Sequence, residues 1–348
     1  MEMGNPDSEG VEAFAGLDVG AREIVAARRG NEETTAPMTR FANHATGHRA
    51  LLAFLLHGNE RVRVCLEASG NSSIDVALVL HAHRRLEVSM VNPRRARHFA
   101  ESLGERSKTD PVDARVLCQY AARMPWEPWR PPSRAALQLR AITRAIADLV
   151  VMHTQEKNRE HALKASQALP ALLLRERRRH QRYLELRIQQ LRREARRLIA
   201  RDPELDRRFR LMLTVPGVAD TSALHILGEL AVLPESLDAR QWVAFSGLDP
   251  SLFTSGTSVE KRPRISRGFS RHLRHALDMP VLVALQHEPH LRAFYHRLVR
   301  RGQARMQAVI GVMRKLLHGL FAMFRSNQSY DGAKRCGVPA SQVVVACA

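Results

Sequence analysis

Acidic side chains are the scarce commodity in this chain. Its 348 residues hold 35 Asp and Glu against 54 Lys and Arg, a net charge of +19. The deficit predicts a polyanionic partner, because basic side chains gain affinity by releasing counterions from phosphates. Lysine is scarce too. Arginine dominates the basic set, which favours forked phosphate contacts over point charges, although a GC-rich coding bias explains that preference equally well. Cysteine is limited to Cys65, Cys118, Cys336 and Cys347. None is part of a C-x-x-C pair, which argues against a zinc site, and Cys65 and Cys118 fall in apolar runs and read as small core residues. No apolar run approaches a membrane span. The N-terminus is polar and acidic, with no signal peptide visible. The expectation is a reduced, cytoplasmic protein associated with the nucleoid.

Along the chain, the first third alternates strands and helices. Ala13–Asp18 is a short apolar strand ending in a turn. Glu23–Arg28 returns as a hairpin strand, and Pro37–Phe41 gives a third. A helix capped at Asn43 or Thr46 runs to Leu56. Arg61–Leu66 alternates as a strand and delivers Glu67 at its end. A helix over Ser72–Arg84 and a strand over Leu86–Val91 follow, so a mixed α/β sheet is expected. Residues 94–109 are basic, show no firm core pattern, and look like a mobile segment over a site. A helix then starts at Asp110-Pro111, with proline in its first turn. Trp126–Pro132 reads as a linker.

Beyond it the pattern is helical. Leu139, Ile142, Ile146 and Leu149, then Leu184, Ile188, Leu191, Ala195 and Leu198, repeat at threes and fours on either side of Pro170. They predict two long helices in an antiparallel or intermolecular coiled coil. The second carries ten arginines between Arg175 and Arg197, which tilts the reading from a solvated face toward nucleic-acid contact. Leu213-Thr-Val-Pro-Gly-Val218 before an apolar helix (Ser222–Leu233) looks like a helix-hairpin-helix turn, in which Gly217 would offer backbone N–H groups to a phosphate; a plain helix turn fits as well. Helices are expected over Ala239–Gly247, Ser270–Leu285 and Leu291–Phe324. Leu248–Arg267 reads as a polar loop, Pro280 as a helix interruption, and residues after 326 as a loose tail.

Asp18, Glu67, Asp110 and Asp113 carry the chemistry. Two lie at predicted strand ends, one starts a helix, and the fourth follows a turn later, as a ribonuclease-H-like nuclease would place them. Like charges gathered together cost free energy unless cations neutralise them. Two Mg2+ ions, about 4 Å apart, would activate a nucleophile and stabilise the leaving oxygen of a phosphodiester. Taken singly, each acid is as easily a cap or a turn residue: Asp110 suits an N-cap, and Asp113 a partner for Arg106 or Arg115. A phosphate-binding role for Asp18 in an actin-like ATPase is the weaker alternative, since no second glycine-rich phosphate loop accompanies it. A serine in the loop Gly247–Gly256, flanked by Arg262, Arg264, Arg267 and Arg271, is a second candidate: serine attacks phosphorus only when activated, and the arginines would stabilise the pentavalent phosphate.

These segments together resemble one family. Gly16-Leu-Asp-Val-Gly20, Cys65-Leu-Glu-Ala-Ser-Gly70, Val91-Asn-Pro93, Lys108-Thr-Asp-Pro-Val-Asp-Ala-Arg115, Thr214-Val-Pro-Gly-Val218, Phe245-Ser-Gly-Leu-Asp-Pro250 through Ser255-Gly256, and Ile265-Ser-Arg-Gly268 occur in order. Over roughly residues 13–325 the chain resembles the DEDD transposases of the insertion sequence one-hundred-and-ten family, the bridge-RNA-guided recombinases. The resemblance implies an α/β plus α protein: a RuvC-like domain over 13–125, a linker and coiled coil over 126–207, and a helical transposase domain over 208–325; a disordered, acidic tail over 1–12 and a tail over 326–348 have no counterpart in it. It carries the metal-binding acids over to Asp18, Glu67, Asp110 and Asp113. The nucleophile carries over to Ser255, or to Ser251 or Ser258 if the loop is offset. It also implies double-stranded DNA and a structured noncoding RNA as partners, and a homo-oligomer, dimer to tetramer, in which the acids and the serine meet across subunits. The alternatives are a metal-dependent junction nuclease that uses water, and a non-catalytic nucleic-acid scaffold.

Overall fold

The structure is a computed structural model. It describes residues 13–31, 33, 36–58, 61–68, 70–105, 109–164, 170–255, 259–266 and 270–336, with only the backbone at 71, 252–255, 259–263 and 335–336. The expected N-terminal tail lies outside these residues. The chain divides into two units, Met1–Pro131 and Pro132–Ala348.

In the first unit, β1 (Ala13–Val19), β2 (Glu23–Gly30), β3 (Met38–Ala42), β4 (Val62–Glu67) and β5 (Leu86–Val91) form one sheet in the order β3-β2-β1-β4-β5. The first three strands are antiparallel neighbours, while β1, β4 and β5 run parallel. Four helices pack on it: α1 (Ala45–Leu55), α2 (Asn71–His81), α3 (Pro93–Ser102) and α4 (Asp110–Arg123). Strand alternation sorts the core into two layers. Ala13, Ala15, Leu17, Val62, Val64 and Leu66 join Leu51, Leu55, Val76 and Leu80 of α1 and α2. Phe14, Val25, Cys65 and Val91 join Ala96 of α3 and Ala114, Leu117 and Cys118 of α4. The mixed α/β sheet is the architecture the alternating pattern predicts, and the structure covers it on both faces.

Two local expectations are corrected here. Residues 93–102 are helix α3, not a loose segment: the Asn92 side chain caps it by accepting from Arg94 N at 2.7 Å, and Pro93 opens its first turn. Its apolar positions, Ala96 and Ala100, are small, so the core pattern was hard to see among the arginines. Helix α1 is capped by His44 rather than Asn43 or Thr46; Asn43 instead bonds Gly20 O and His48. The expected linker at Trp126–Pro132 does hold the boundary between the two units, and it is anchored on the first. Trp129 N donates to Val88 O at 2.7 Å, and Trp126 lies under the Arg63 guanidinium.

The second unit begins with α5 (Arg134–Lys164) and α6 (Ala171–Arg201), paired antiparallel within the chain: His153 meets Glu185, and Glu156 meets Arg177. Leu139 and Ile146 on α5 and Leu184, Ile188, Ala195 and Ile199 on α6 are buried. The C-terminal turn of the seam is carried by Ile199, with Leu198 only half-buried. Helices α7 (Pro203–Leu213), α8 (Asp220–Leu230) and α9 (Ala239–Ser246) follow, then strands β6 (Pro250–Ser255) and β7 (Val259–Ile265), and α10 (Arg271–His287), α11 (Pro289–Arg300), α12 (Arg305–Ser326) and α13 (Gly332–Cys336). One core takes Leu139, Ala195 and Ile199 from the long helices together with Met212, Leu224, Trp242, Leu277 and Leu317. The base of the coiled coil and the helices after it are therefore a single body, and position 208 falls inside α7.

Further differences follow from packing. The region from 248 to 267 holds an antiparallel β-hairpin rather than a loop. The Leu291–Phe324 stretch is two helices, turned at Gly302 with φ +86°. Pro280 is buried inside an unbroken α10. The expected tail is ordered to Cys336: Asn327, in left-handed conformation, accepts from Arg207 at 2.8 Å, and Tyr330 N donates to Thr214 Oγ1 at 2.9 Å. Among the described residues no helix is long and apolar enough to cross a membrane.

Candidate active site

The carboxylates are placed by alternation and by one glycine. Phe14 and Cys65 point into the α4 layer, so Asp18 and Glu67, four and two residues on, point the same way. In the parallel register Leu17 is the partner of Leu66, so Asp18 and Glu67 follow side by side at the carboxyl ends of neighbouring strands. Both are half-buried.

Gly16 brings α4 against this edge. A Cβ there would lie 2.1 Å from Cys118 N and 2.2 Å from Ala114 O, so only glycine lets the helix lie on β1. The Cys118 thiol donates to Phe14 O at 3.3 Å. Climbing β1 from Phe14 to Gly16 thus descends α4 from Cys118 to Ala114. Two strand residues rise about 6.6 Å, close to the 5.4 Å of one helical turn. The next step up reaches Asp18, and the next turn down reaches Asp110. Asp113 and Asp110 lie one turn before Leu117 and Ala114, on the helix side that faces the sheet. The first turn of a helix also favours negative charge. Asp113 is half-buried and Asp110 exposed. Arg115, one expected partner of Asp113, binds Glu105 at 3.0 Å instead; Arg106 lies outside the described residues.

Asp18 and Glu67 are thus neighbours at the carboxyl ends of β1 and β4, and Asp110 and Asp113 lie in the first turn of α4. Among the described residues, no three His, Cys, Asp or Glu stand close enough to grip a metal ion. The donor set is nonetheless all carboxylate oxygen, which suits a hard divalent cation.

Ser255 ends β6 and is paired with Val259 across the hairpin tip. Ser251 lies near the hairpin foot, exposed, opposite Arg264. Ser258 and Arg267 lie outside the described residues. Arg262 is in β7, Arg264 is exposed beside the foot, and Arg271 is exposed in the first turn of α10. The foot is closed by Ser266, whose N–H donates to Asp249 O at 2.9 Å and whose hydroxyl donates to the Asp249 carboxylate.

Gly217 has a packing reason for being glycine. It takes φ +92°, and a Cβ would meet Pro280 O at 2.5 Å and Ala284 N at 2.7 Å on α10. Part of the α6 arginine run is also absorbed by structure. Arg177 bonds Glu156 at 2.7 Å and Arg178 bonds Glu160 at 3.3 Å, and both glutamates are buried in the helix pair. Arg175, Arg179 and Arg182 make no ion pair among the described residues and line a shallow groove on α6.

A buried network went unseen in the sequence. Glu229 of α8 accepts from Arg144 of α5 and from Ser270 Oγ at 2.8 Å, and Ser270 caps α10 by accepting from Leu273 N at 3.0 Å. Burial pushes the Glu229 carboxyl up, but the Arg144 hydrogen bonds and charge outweigh it and hold the group below the usual carboxylate range. An isolated glutamate in an apolar helix carries no signal of partners 85 and 41 residues away.

Comparison with known proteins matches this layout. Residues 15–166, which include the four acids, match the model of DEDD transposases of the IS110 type, described as a transposase. Residues 209–296, which include the β6–β7 hairpin, match the model described as transposase IS116/IS110/IS902 family. The pilin gene-inverting protein of Moraxella bovis is 29% identical over 300 residues, covering 84% of this chain and 89% of its own length. Its namesake in Moraxella lacunata is as similar. An uncharacterized protein of insertion element IS110 from Streptomyces coelicolor is 27% identical over 128 residues, 37% of this chain and 31% of that one. The two family matches together span more than half the sequence, and the chain belongs to the IS110 family of transposases and is a DNA transposase.

Proposed function

We infer that this transposase cuts and rejoins DNA with Ser255 as nucleophile and Asp18, Glu67, Asp110 and Asp113 as holders of Mg2+, and that a structured noncoding RNA guides it. The observation that supports the reading is the register that sets Asp18 beside Glu67, with α4, which begins at Asp110 and carries Asp113, packed on β1 over Gly16. Nothing in a stable core calls for two acids side by side at a sheet end of a protein with net charge +19. A divalent ion there would supply Lewis-acid stabilisation of charge on the phosphodiester.

Ser255 stands at the tip of a two-stranded ribbon, where it can reach into a DNA backbone. Its hydroxyl loses a proton, an Oγ–P bond forms, and one P–O bond to deoxyribose breaks. The departing sugar oxygen takes up a proton, and a phosphoserine ester remains. Attack by the hydroxyl of another strand reverses each change and reseals the DNA. Arg262 and Arg264 of β7, with Arg267 and Arg271 farther along the sequence, would counter phosphate charge as the trigonal bipyramid forms. The backbone at Gly217, and the α6 arginines that make no ion pair among the described residues, would add contacts for double-stranded DNA or RNA. The exposed Val151, Leu172 and Leu186 of the long hairpin suit a homo-oligomer, dimer to tetramer. The pilin gene-inverting relatives act, by their name, on a DNA inversion, which is the same class of strand exchange. The boundaries 13–125, 126–207 and 208–325 then describe functional regions, and a cytoplasmic, nucleoid-associated site of action follows from the DNA substrate.

The test is to express the gene with its native flanking DNA, sequence the RNA that co-purifies, and assay strand transfer with Mg2+. Loss of transfer in both Asp18→Asn and Ser255→Ala, with a covalent protein–DNA adduct in wild type only, is the expected result. Cleavage by Ser255→Ala without an adduct would establish water as the nucleophile. Heterogeneous host RNA would remove the guide.

A further inference from the structure

Within the second unit, α10, α11 and α12 leave an open cleft of about 1390 Å3 beside the foot of the β6–β7 hairpin. That exceeds the ~300–1,000 Å3 that one small ligand fills. Its apolar lining includes Phe294, Leu298 and Ile310, with Leu282 and Met306 nearer the mouth, and its cations are Arg264, Arg274, Arg314 and Lys315. Asp278 is the one carboxylate among the lining residues. Met306 is 68% exposed and Leu282 45%, so apolar surface stands open at the mouth. Among the described residues, the buried Nε of Arg314 has no hydrogen-bond partner. Lys315 and Arg297 already lie over the Phe294 ring, which holds positive charge close to the apolar lining.

An apolar lining set among cations matches a nucleotide, with its base on the one and its phosphates on the other. A protein segment would have to bring acids to match four cations against one carboxylate. A stacked duplex hides its base faces, so the fitting ligand is an unstacked strand. Position agrees. Pro250 and Ile265, paired at the hairpin foot, line the cleft, and Ser255 is five residues farther along β6, roughly 17 Å at a strand's rise.

We propose that this cleft holds one or two unstacked nucleotides of the DNA strand exchanged at the hairpin, with bases against Leu282 and Met306 and phosphates on Arg264, Arg314 and Lys315. The identity of the strand rests on the serine reading above; the binding itself does not.

The experiment uses the full chain and a short single-stranded DNA carrying 2-aminopurine, with the same sequence as duplex DNA and as RNA for comparison. Met306→Glu and Leu282→Glu change exposed side chains and leave the core intact. Each is expected to weaken single-strand binding about tenfold, with duplex affinity within about twofold, since a carboxylate at the mouth repels phosphates. Lys315→Gln is expected to lower the salt dependence of single-strand binding by roughly 0.7 in log–log slope, the loss of one phosphate contact. Unchanged affinity in both glutamate variants overturns the proposal. So does tighter binding of the RNA strand, or self-association lost in Leu282→Glu with DNA binding intact, which would make the cleft a protein-docking face. An active Ser255→Ala enzyme would overturn the serine reading while leaving these affinities as they are, so the two failures are told apart.

Discussion

Arg144 grips the carboxylate of Glu229 with two hydrogen bonds, Nε at 2.7 Å and Nη2 at 3.0 Å. The contact fastens α5 to α8, and Ser270, donating to the same carboxylate, fastens the start of α10 where β7 hands over to the helix. The long helical hairpin and the helices that carry the β6–β7 ribbon therefore share one polar anchor inside one core.

Breaking that anchor from one side leaves a buried charge. Arg144→Met is expected to cost about 3 kcal/mol, because the carboxylate, 2% exposed, loses its cation. Adding Glu229→Met should restore part of the loss, since an apolar pair tolerates burial. Urea denaturation of the two single variants and the double variant measures the coupling, and strictly additive losses would show that the pair is not a unit.

Gly16→Ala tests the approach of α4. The added methyl meets backbone atoms rather than a movable side chain, so the helix must shift. Overpacking of this kind costs roughly 1–3 kcal/mol, and the displaced Asp110 and Asp113 should take strand transfer down far more than stability. A variant as active as wild type would show that the acids do not depend on this contact.

Acid should loosen the far end of the α5–α6 pair. Hydrogen bonds from Lys164, Gln181 and Arg178 hold the Glu160 carboxyl at about 2. Hydrogen bonds from Arg177 and Arg159 hold Glu156 below its usual range. A carboxyl depressed in the folded state stabilises it above the unfolded value, near 4.5, and loses that contribution as pH falls toward 2. Amide exchange in α5 and α6 should accelerate across this window. Glu160→Gln should flatten the response; a response of wild-type steepness in that variant would assign the effect to other groups.

Cys65 and Cys118 should resist alkylation in the native protein. Burial pushes the Cys118 thiol up to about 11 and the Cys65 thiol higher still, so neither forms thiolate at neutral pH. Mass mapping after iodoacetamide treatment should find both unmodified until denaturant is added, and rapid native labelling of either would mean that the α4 layer opens.

Local periodicity made much of the fold legible. The alternation around Asp18 and Glu67 located their strands, Asp110-Pro111 located the start of α4, and the threes and fours of Leu139–Ile146 and Leu184–Ala195 located the long helices. These signals survive in sequence because a strand repeats every two residues and a helix every 3.6, whatever lies across from them. The same locality hid α3, whose buried positions are alanines, and the β6–β7 hairpin, whose two short segments, PSLFTS and VEKRPRI, show no regular alternation.

Sequence by itself determined the charge imbalance, the four acids and their elements, and the serine-bearing segment that marks the family. Only the tertiary structure decided that Asp18 neighbours Glu67, that α4 runs back along β1 over Gly16, that Glu229 waits for Arg144, and that Arg264, Lys315 and Met306 surround one cleft. Each of these joins residues tens of positions apart. Their meeting is set by how layers pack, through close approach at a glycine and the burial of a shared apolar face, and no local pattern of residues records that.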